Sequence, residues 1–210
     1  MDLTSFCIIT DGKEPEKLAR EVESIRALGG DTEIIVCGDD VIGYIPGLTK
    51  FVPFPQAARE GRLGAMRNRA IDLASGSVIV SADDDLYFHA NFLKGLERMG
   101  AGWDVLSCRI LNPDGTRFWD WKTHKGGVNK LLPYTMRDAH VSLTGGLVIA
   151  RNSVYSLVEW PEELGFYQEE DVEFTQRLKR AGMRIGFCPY ATVTHDDAGY
   201  SQRGEYVVRC

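Results

Sequence analysis

No stretch of this chain approaches the roughly 18 consecutive apolar residues that a membrane-crossing helix needs, so no spanning segment is expected. A basic excess is also missing. Lysine and arginine number 24 against 30 aspartates and glutamates, and the net charge of -6 argues against a nucleic-acid partner, which calls for a basic footprint. The five cysteines (Cys7, Cys37, Cys108, Cys188, Cys210) are odd in number and scattered, with no Cys-x-x-Cys spacing. Several sit inside apolar runs, which points to reduced thiols. The opening Met1-Asp2-Leu3-Thr4-Ser5 lacks the basic start of a secretory signal. A cytoplasmic protein, free or peripheral to a membrane, is therefore expected. Repeats, low-complexity tracts and linkers are absent too. What is present, 210 residues with 44% hydrophobic and 26% charged, suits one soluble domain with a full core.

The first third reads as alternating strand and helix. Leu3 to Ile9 is an apolar run closed by Thr10-Asp11-Gly12, and Glu33 to Cys37 is a second, closed by Gly38-Asp39-Asp40. Between them Pro15 opens a helix whose Leu18, Val22, Ile25 and Leu28 recur at helical spacing until Gly29-Gly30. A strand, a helix and a strand in about 35 residues make a βαβ unit with a parallel sheet. Proline breaks Tyr44 to Phe54 into loop or edge structure. Leu63, Met66, Ala70 and Leu73 then predict an amphipathic helix ended by Ser75-Gly76.

The stretch that organises the chemistry is Ser77-Val78-Ile79-Val80-Ser81-Ala82-Asp83-Asp84-Asp85. A β-branched apolar run reads as a buried strand, and three carboxylates arrive at its carboxyl end. Extended backbone would put Asp83 and Asp85 on one face and Asp84 on the other. Carboxylates held that close call for a cation, and ligands of open α/β sheets gather outside the carboxyl ends of strands. A divalent ion carrying a phosphate-bearing ligand is the chemical reading; a solvated acidic turn is the plain one. Arg59, Arg62, Arg67 and Arg69 crowd the helix just before it, either as a solvated basic face or as partners for phosphate oxygens.

Further on, Asn91 to Met99 reads as a helix and Trp103 to Leu111 as a strand. Pro113-Asp114-Gly115 suggests a hairpin into Thr116 to Trp121. Trp119 and Trp121, beside Lys122, His124 and Lys125, suit stacking on a sugar ring or burial against the sheet. Thr123 to Arg137 reads as a mobile loop over a cleft. Gly145-Gly146, opening the apolar run Leu143 to Ala150, permits either a close approach to ligand or a simple bulge.

A second acidic cluster, Glu169-Glu170-Asp171, opens a helix over Asp171 to Ala181, where carboxylates also suit the dipole. Asp171 shares its phase with Phe174 and Leu178 and faces inward, whereas Glu170 aligns with Glu173 and Arg177 on a polar face. An inward carboxylate at a helix mouth needs a partner or a task, which makes Asp171 the candidate general base and Glu170 its neighbour in substrate contact. Arg184 to Cys188 and Ala191 to Thr194 are read as two short strands. His195, at the end of the second, is a candidate metal ligand beside Asp85 and Asp83. A mixed oxygen and nitrogen set favours manganese, with magnesium as the alternative.

These pieces, in this order, resemble a small nucleotide-sugar-dependent glycosyltransferase of the GT-A fold, most similar to the large inverting family 2. Phe6 to Thr10 resembles the opening nucleotide-binding strand, and Glu33 to Asp40 the second strand with its base-reading aspartate. Gly64-Ala65-Met66-Arg67-Asn68 resembles the glycine-to-Arg-Asn helix and Asp83-Asp84-Asp85 the DxD motif. Gly145-Gly146-Leu147 resembles the acceptor-side glycines and Glu170-Asp171 the ED motif. Glu169-Glu170-Asp171 with a later His195 is also similar to galactosyltransferase-like inverting enzymes, where a late histidine binds the metal. Thr10-Asp11-Gly12 departs from the family's first loop, Gly38 replaces a common aspartate, and the Gln-x-x-Arg-Trp of processive synthases is absent.

The resemblance implies an α/β fold with a central mixed, mostly parallel sheet flanked by helices. It implies one domain, with residues 1–100 as the nucleotide-binding half and 101–210 as the acceptor-binding half. The activity implied is metal-dependent inverting transfer of one sugar from a nucleoside diphosphate sugar, a UDP-sugar first, to a glycan, lipid-linked or small-molecule acceptor. Thr10, Asp11, Asp39, Asp40, Arg62, Arg67, Asn68, Asp83 and Asp84 fall on the donor side. Trp119, Trp121, Gly145 and Gly146 fall on the acceptor side. A silent sugar-nucleotide binder is the alternative. A phosphatase built on Asp83-x-Asp85 fits poorly, because Tyr87 stands where that class wants Thr or Val.

Overall fold

The computed structural model describes residues 3–40, 45–165 and 168–196. In chain order its elements are β1 (Thr4–Thr10), α1 (Pro15–Ala27), β2 (Thr32–Gly38), β3 (Lys50–Pro53), α2 (Pro55–Glu60) and α3 (Leu63–Ile71). There follow β4 (Val78–Ala82), β5 (Leu86–Phe88), α4 (Phe92–Glu97), β6 (Val105–Leu111), β7 (Lys122–Lys125), β8 (Val128–Leu131) and β9 (Val141–Ser142). β10 (Leu147–Arg151), α5 (Asn152–Tyr155), α6 (Glu170–Arg180) and β11 (Ile185–His195) complete the elements of the described residues.

Eight strands form one mixed sheet in the order β3-β2-β1-β4-β10-β6-β11-β5. The first four run parallel, as βαβ crossovers require. β10 then enters antiparallel between β4 and β6, β11 lies parallel to β6, and β5 closes the edge antiparallel to β11. The strands are apolar on both faces because both faces are covered. Phe6 and Ile8 of β1 pack with Leu18, Val22 and Ile25 of α1 and Phe92 of α4. Cys7 and Ile9 pack with Met66 and Ala70 of α3 and Phe174 and Leu178 of α6. The cysteines in these layers are buried, and burial pushes the Cys7 thiol well up and the Cys37 thiol up to about 12. They behave as small apolar side chains.

This topology sends the carboxyl ends of β1, β2, β4, β6 and β11 to one rim. Register does the rest. Leu147 pairs with Ala82, which sets Gly146 beside Asp83, and His195 pairs with Leu86, one residue beyond Asp85.

Several local expectations are corrected. Residues 83–85 form a turn, not an extension of the strand. The expected hairpin into residues 116–121 is short: one antiparallel Leu111–Arg117 bridge, flanked by the Asn112 amide on Thr116 O and the Phe118 amide on Ile110 O, after which the Asp120 side chain takes over. The expected mobile loop contains a hairpin. β7 and β8 pair over four residues around Gly126-Gly127, whose φ of 63° and 77° make the turn, and β9 completes a three-stranded sheet. The two short late strands are one strand, β11, with a bulge between Cys188 and Thr192. β5 and α2, unread in the sequence, are too short to carry a period.

Candidate active site

The acidic triplet fans out to three partners. Asp83 receives the Arg67 guanidinium at 2.7 Å, Asp84 accepts the Thr10 hydroxyl, and Asp85 Oδ2 lies 3.3 Å from His195 Nε2. The expected shared face for Asp83 and Asp85 is lost because the turn rotates each carboxylate separately. Burial pushes the Asp84 carboxyl up to about 7, with the Thr10 hydrogen bond opposing and its two acidic neighbours adding to the rise. Beneath the triplet stands Glu21 of α1, fully buried, its carboxyl raised by burial and by the field of Asp84 and Asp85. Glu21 and Ser24 accept the Leu86 and Phe88 amides on the open side of β5. α1 thereby replaces a neighbouring strand for this edge.

His195 is 8% exposed and its ring stacks on Phe118, with centroids 4.2 Å apart and planes within 12°. Asp85 and His195 present an oxygen and a nitrogen donor to one point, a set that fits manganese or magnesium. Asp83 does not join them. Its carboxylate is committed to Arg67, and no group of three His, Cys, Asp or Glu able to hold a metal occurs among the described residues. An ion at this point would need oxygens from its ligand as well.

The second acidic cluster faces the first across Gly145-Gly146. The Asp83 amide donates to the Gly146 carbonyl at 3.1 Å, and the Gly145 amide points at Asp171 Oδ2 at 3.3 Å. A Cβ on Gly145 would lie 2.6 Å from Glu170 Oε1, and one on Gly146 would lie 3.4 Å from Asp83 Oδ2. The glycine pair is therefore where backbone passes between two carboxylates, and a side chain on Gly145 would fill the gap. Glu170 is not on a polar face as its helical phase suggested. It is 8% exposed, and burial raises its carboxyl while the Arg67 charge opposes that rise. Glu170 lies one turn before Phe174 and two before Leu178, so it shares their buried stripe, and Gly145 and Arg67 lie against it. Asp171 does face inward. Its Oδ2 meets Lys122 Nζ at 3.0 Å and its Oδ1 accepts the Val172 amide at 2.8 Å.

The donor-side residues divide. Thr10 and Asp39 are buried at the rim, and the Arg59 guanidinium lies 3.6 Å from Asp39. Asp11 is exposed and paired with Lys13, and Asp40 is exposed. Gly38 has no room for the aspartate common in the resembling family, since a Cβ there would lie 2.0 Å from the Thr10 carbonyl oxygen. Arg62 caps α3 half-buried at the rim. Arg67 and Asn68 are corrected. The Arg67 side chain has no exposed surface; its guanidinium binds Asp83 and lies over Trp160 at 4.7 Å, so it cannot meet a phosphate without leaving Asp83. Asn68 spends its amide on the Trp160 backbone and on Glu162, pinning that loop to α3.

On the acceptor side, Trp121 is corrected from ligand platform to core. It packs with Leu132 and Val141 and donates its indole N–H to Met136 O. Trp119 is half-buried. Between them Asp120, with no exposed surface, accepts the Ile110 and Trp121 amides, the Arg117 guanidinium and the Tyr134 hydroxyl. Phe118 and Glu21 went unnoticed in the sequence as site-building residues, and Lys122 was read only as a donor beside the tryptophans, because their partners lie at distant positions. The tail from Asp197 onward lies outside the described residues.

No protein-family model matches this chain, and no curated protein does. Solved structures do. GalNAc-T7, solved with UDP, GalNAc and Mn2+, is similar with a TM-score of 0.70 at 17% identity, over 93% of this chain and 43% of that one. Residues 1-349 of S. aureus TarS in complex with UDP-GlcNAc give 0.68 at 18%, over 99% and 62%. The catalytic domain of Drosophila beta1,4galactosyltransferase 7, in complex with xylobiose, gives 0.60 at 15%, over 100% and 76%. The chain thus spans less than two thirds of the first two. No helix among the described residues is long and apolar enough to cross a membrane. With the mixed sheet and the rim that it builds, these similarities establish that the chain has the GT-A fold of glycosyltransferases.

Proposed function

We propose that the protein transfers one sugar from a UDP-sugar to an acceptor hydroxyl with inversion, assisted by a divalent cation. The observation that carries this reading is the single rim on which the Asp85–His195 pair and the Glu170–Asp171 pair stand, separated by Gly145-Gly146. The ligands of GalNAc-T7 and TarS, UDP with Mn2+ and UDP-GlcNAc, favour a uridine donor.

Asp85 and His195 would hold manganese or magnesium. Such an ion, when bound, supplies positive charge to the diphosphate as it leaves. Thr10 and Asp39, buried at the ends of β1 and β2, would meet the nucleoside, and Arg62 would take a phosphate oxygen. Asp83, held by Arg67, would reach the ribose or the water shell of the ion. Asp171 takes the proton of the acceptor hydroxyl as that oxygen attacks the anomeric carbon; the C–O bond to the diphosphate breaks and the diphosphate keeps the electron pair. A single base facing the leaving group implies inversion. Trp119 offers an aromatic face to the acceptor, with Glu170 contacting it at the cleft wall.

The test combines calorimetry of UDP binding with turnover, read as UDP release from UDP-glucose, UDP-galactose, UDP-N-acetylglucosamine and UDP-N-acetylgalactosamine. Asp171→Asn should leave UDP affinity intact while turnover falls at least about a hundredfold. Asp85→Ala should lose the manganese-dependent part of UDP affinity. Equal UDP affinity with and without manganese would overturn the metal assignment. Tight UDP binding with no release from any donor, whatever acceptor is supplied, would make the protein a binder and not a transferase.

A further inference from the structure

We propose that Lys122 is a positioning residue that fixes the direction of the Asp171 carboxylate toward the acceptor. The inference rests on the reading of Asp171 as proton acceptor. Lys122 opens β7 on the small sheet, while Asp171 stands in the first turn of α6, 49 positions later. The lysine is 4% exposed and is the one lysine among the described residues that is buried. Burying an ammonium costs several kcal/mol unless a partner offsets it, and replacing both members of a buried ion pair by apolar side chains commonly gives equal or greater stability. Stability by itself therefore does not account for the Lys122–Asp171 pair, whereas its geometry does.

The geometry is specific. Lys122 Nζ at 3.0 Å and the Gly145 amide at 3.3 Å both reach Oδ2, while the Val172 amide holds Oδ1 at 2.8 Å. Three donors, from β7, the loop before β10 and α6 itself, fix the plane of one carboxylate. Two of them are backbone groups of the site itself, so Lys122 is the side chain whose removal frees the carboxylate to turn. The lysine is in turn held from behind. Asp120, two residues earlier, ties the segment to β6, Arg117 and Tyr134, and Thr123 and Lys122 pair with β9. The small sheet thereby delivers one rigid cation to the mouth of α6. In transferring a proton from a hydroxyl, a misplacement of about 1 Å costs about a hundredfold, so orientation at this point is worth as much as the chemistry.

The measurement is a double-mutant cycle in kcat on the full chain, using the UDP-sugar that the wild-type protein converts, with UDP affinity by calorimetry alongside. Lys122→Met is expected to lower kcat by about ten- to a hundredfold with KM for the donor and UDP affinity within about twofold of wild type. Lys122→Arg, which can still donate to the carboxylate, is expected to recover part of that loss. Lys122→Met combined with Asp171→Asn is expected to be no slower than Asp171→Asn alone, because a lysine that acts through the carboxylate has nothing left to act on. Multiplying losses in the double variant would instead mean general damage to the fold and would overturn the proposal. So would full kcat in Lys122→Met, or a fall in UDP affinity matching the fall in kcat. Wild-type turnover in Asp171→Asn is a different result: it would remove Asp171 as the base, and the role of Lys122 with it.

Discussion

Arg67 holds Asp83 at 2.7 Å from inside the protein, its own side chain wholly buried while the aspartate side chain is 37% exposed. The arginine is thus a buried fixture, and in the proposed site the aspartate would be the end that meets ligand. Removing the aspartate strands a guanidinium in the interior, where a broken pair costs about 3 kcal/mol or more. Asp83→Ala is therefore expected to lose stability as well as ligand, lowering the urea midpoint with the slope unchanged. An unaltered midpoint would mean that Glu170, on the other side of the same arginine, compensates the charge alone.

Two glycines at the rim should respond oppositely to the same substitution. In Gly38→Ala the new methyl meets backbone, the Thr10 carbonyl oxygen at 2.0 Å, so two central strands must part. A loss of about 1–3 kcal/mol is expected in unfolding experiments, the usual range for an overpacked site. In Gly145→Ala the nearest atom is the tip of a side chain, Glu170 Oε1 at 2.6 Å, which can swing away. Stability should change little there, while turnover falls because Glu170 and Asp171 lose the gap they share.

Acid should act on the far end of the sheet through Asp104. Its carboxylate accepts the Arg184 amide, Nε and Nη2 at 2.8, 2.9 and 2.8 Å, and these hydrogen bonds hold its pKa down to about 2. A carboxyl whose folded value lies below its unfolded value of about 3.9 stabilises the protein above that value and stops doing so as pH falls through the folded one. The melting-temperature gap between wild type and Asp104→Asn should be constant above about pH 4 and close toward pH 2. Both side chains are partly exposed, so the gap is expected to correspond to about 1 kcal/mol at most. A gap that persists at pH 2 would assign the difference to something other than this charge.

Much of the architecture was legible because local periodicity and punctuation agreed. Leu18, Val22 and Ile25 recur at helical spacing, and they form the buried face of α1. Ser77 to Ala82 reads as a strand buried on both faces, and β4 is one. The carboxyl-end location of Asp83-Asp84-Asp85 and the inward phase of Asp171 were legible for the same reason. Partners distant in sequence were not. Trp121 reads like a sugar platform until Leu132, Val141 and Phe187 close over it. Arg67 reads like a phosphate ligand until Trp160, 93 positions later, covers it. Glu170 reads as part of a polar face until Gly145 and Arg67, both distant in sequence, lie against it.

By itself, then, the sequence determined that a βαβ unit leads to an acidic strand end, with a second acidic group at a helix mouth and a histidine after it. Those features follow from residue spacing along a single element, where the physics is local. Only the tertiary structure decided that β10 enters antiparallel beside β4, that β11 places His195 opposite Leu86, and that Lys122 reaches Asp171. Register and burial between elements arise from packing the whole sheet at once, and no window of sequence contains them.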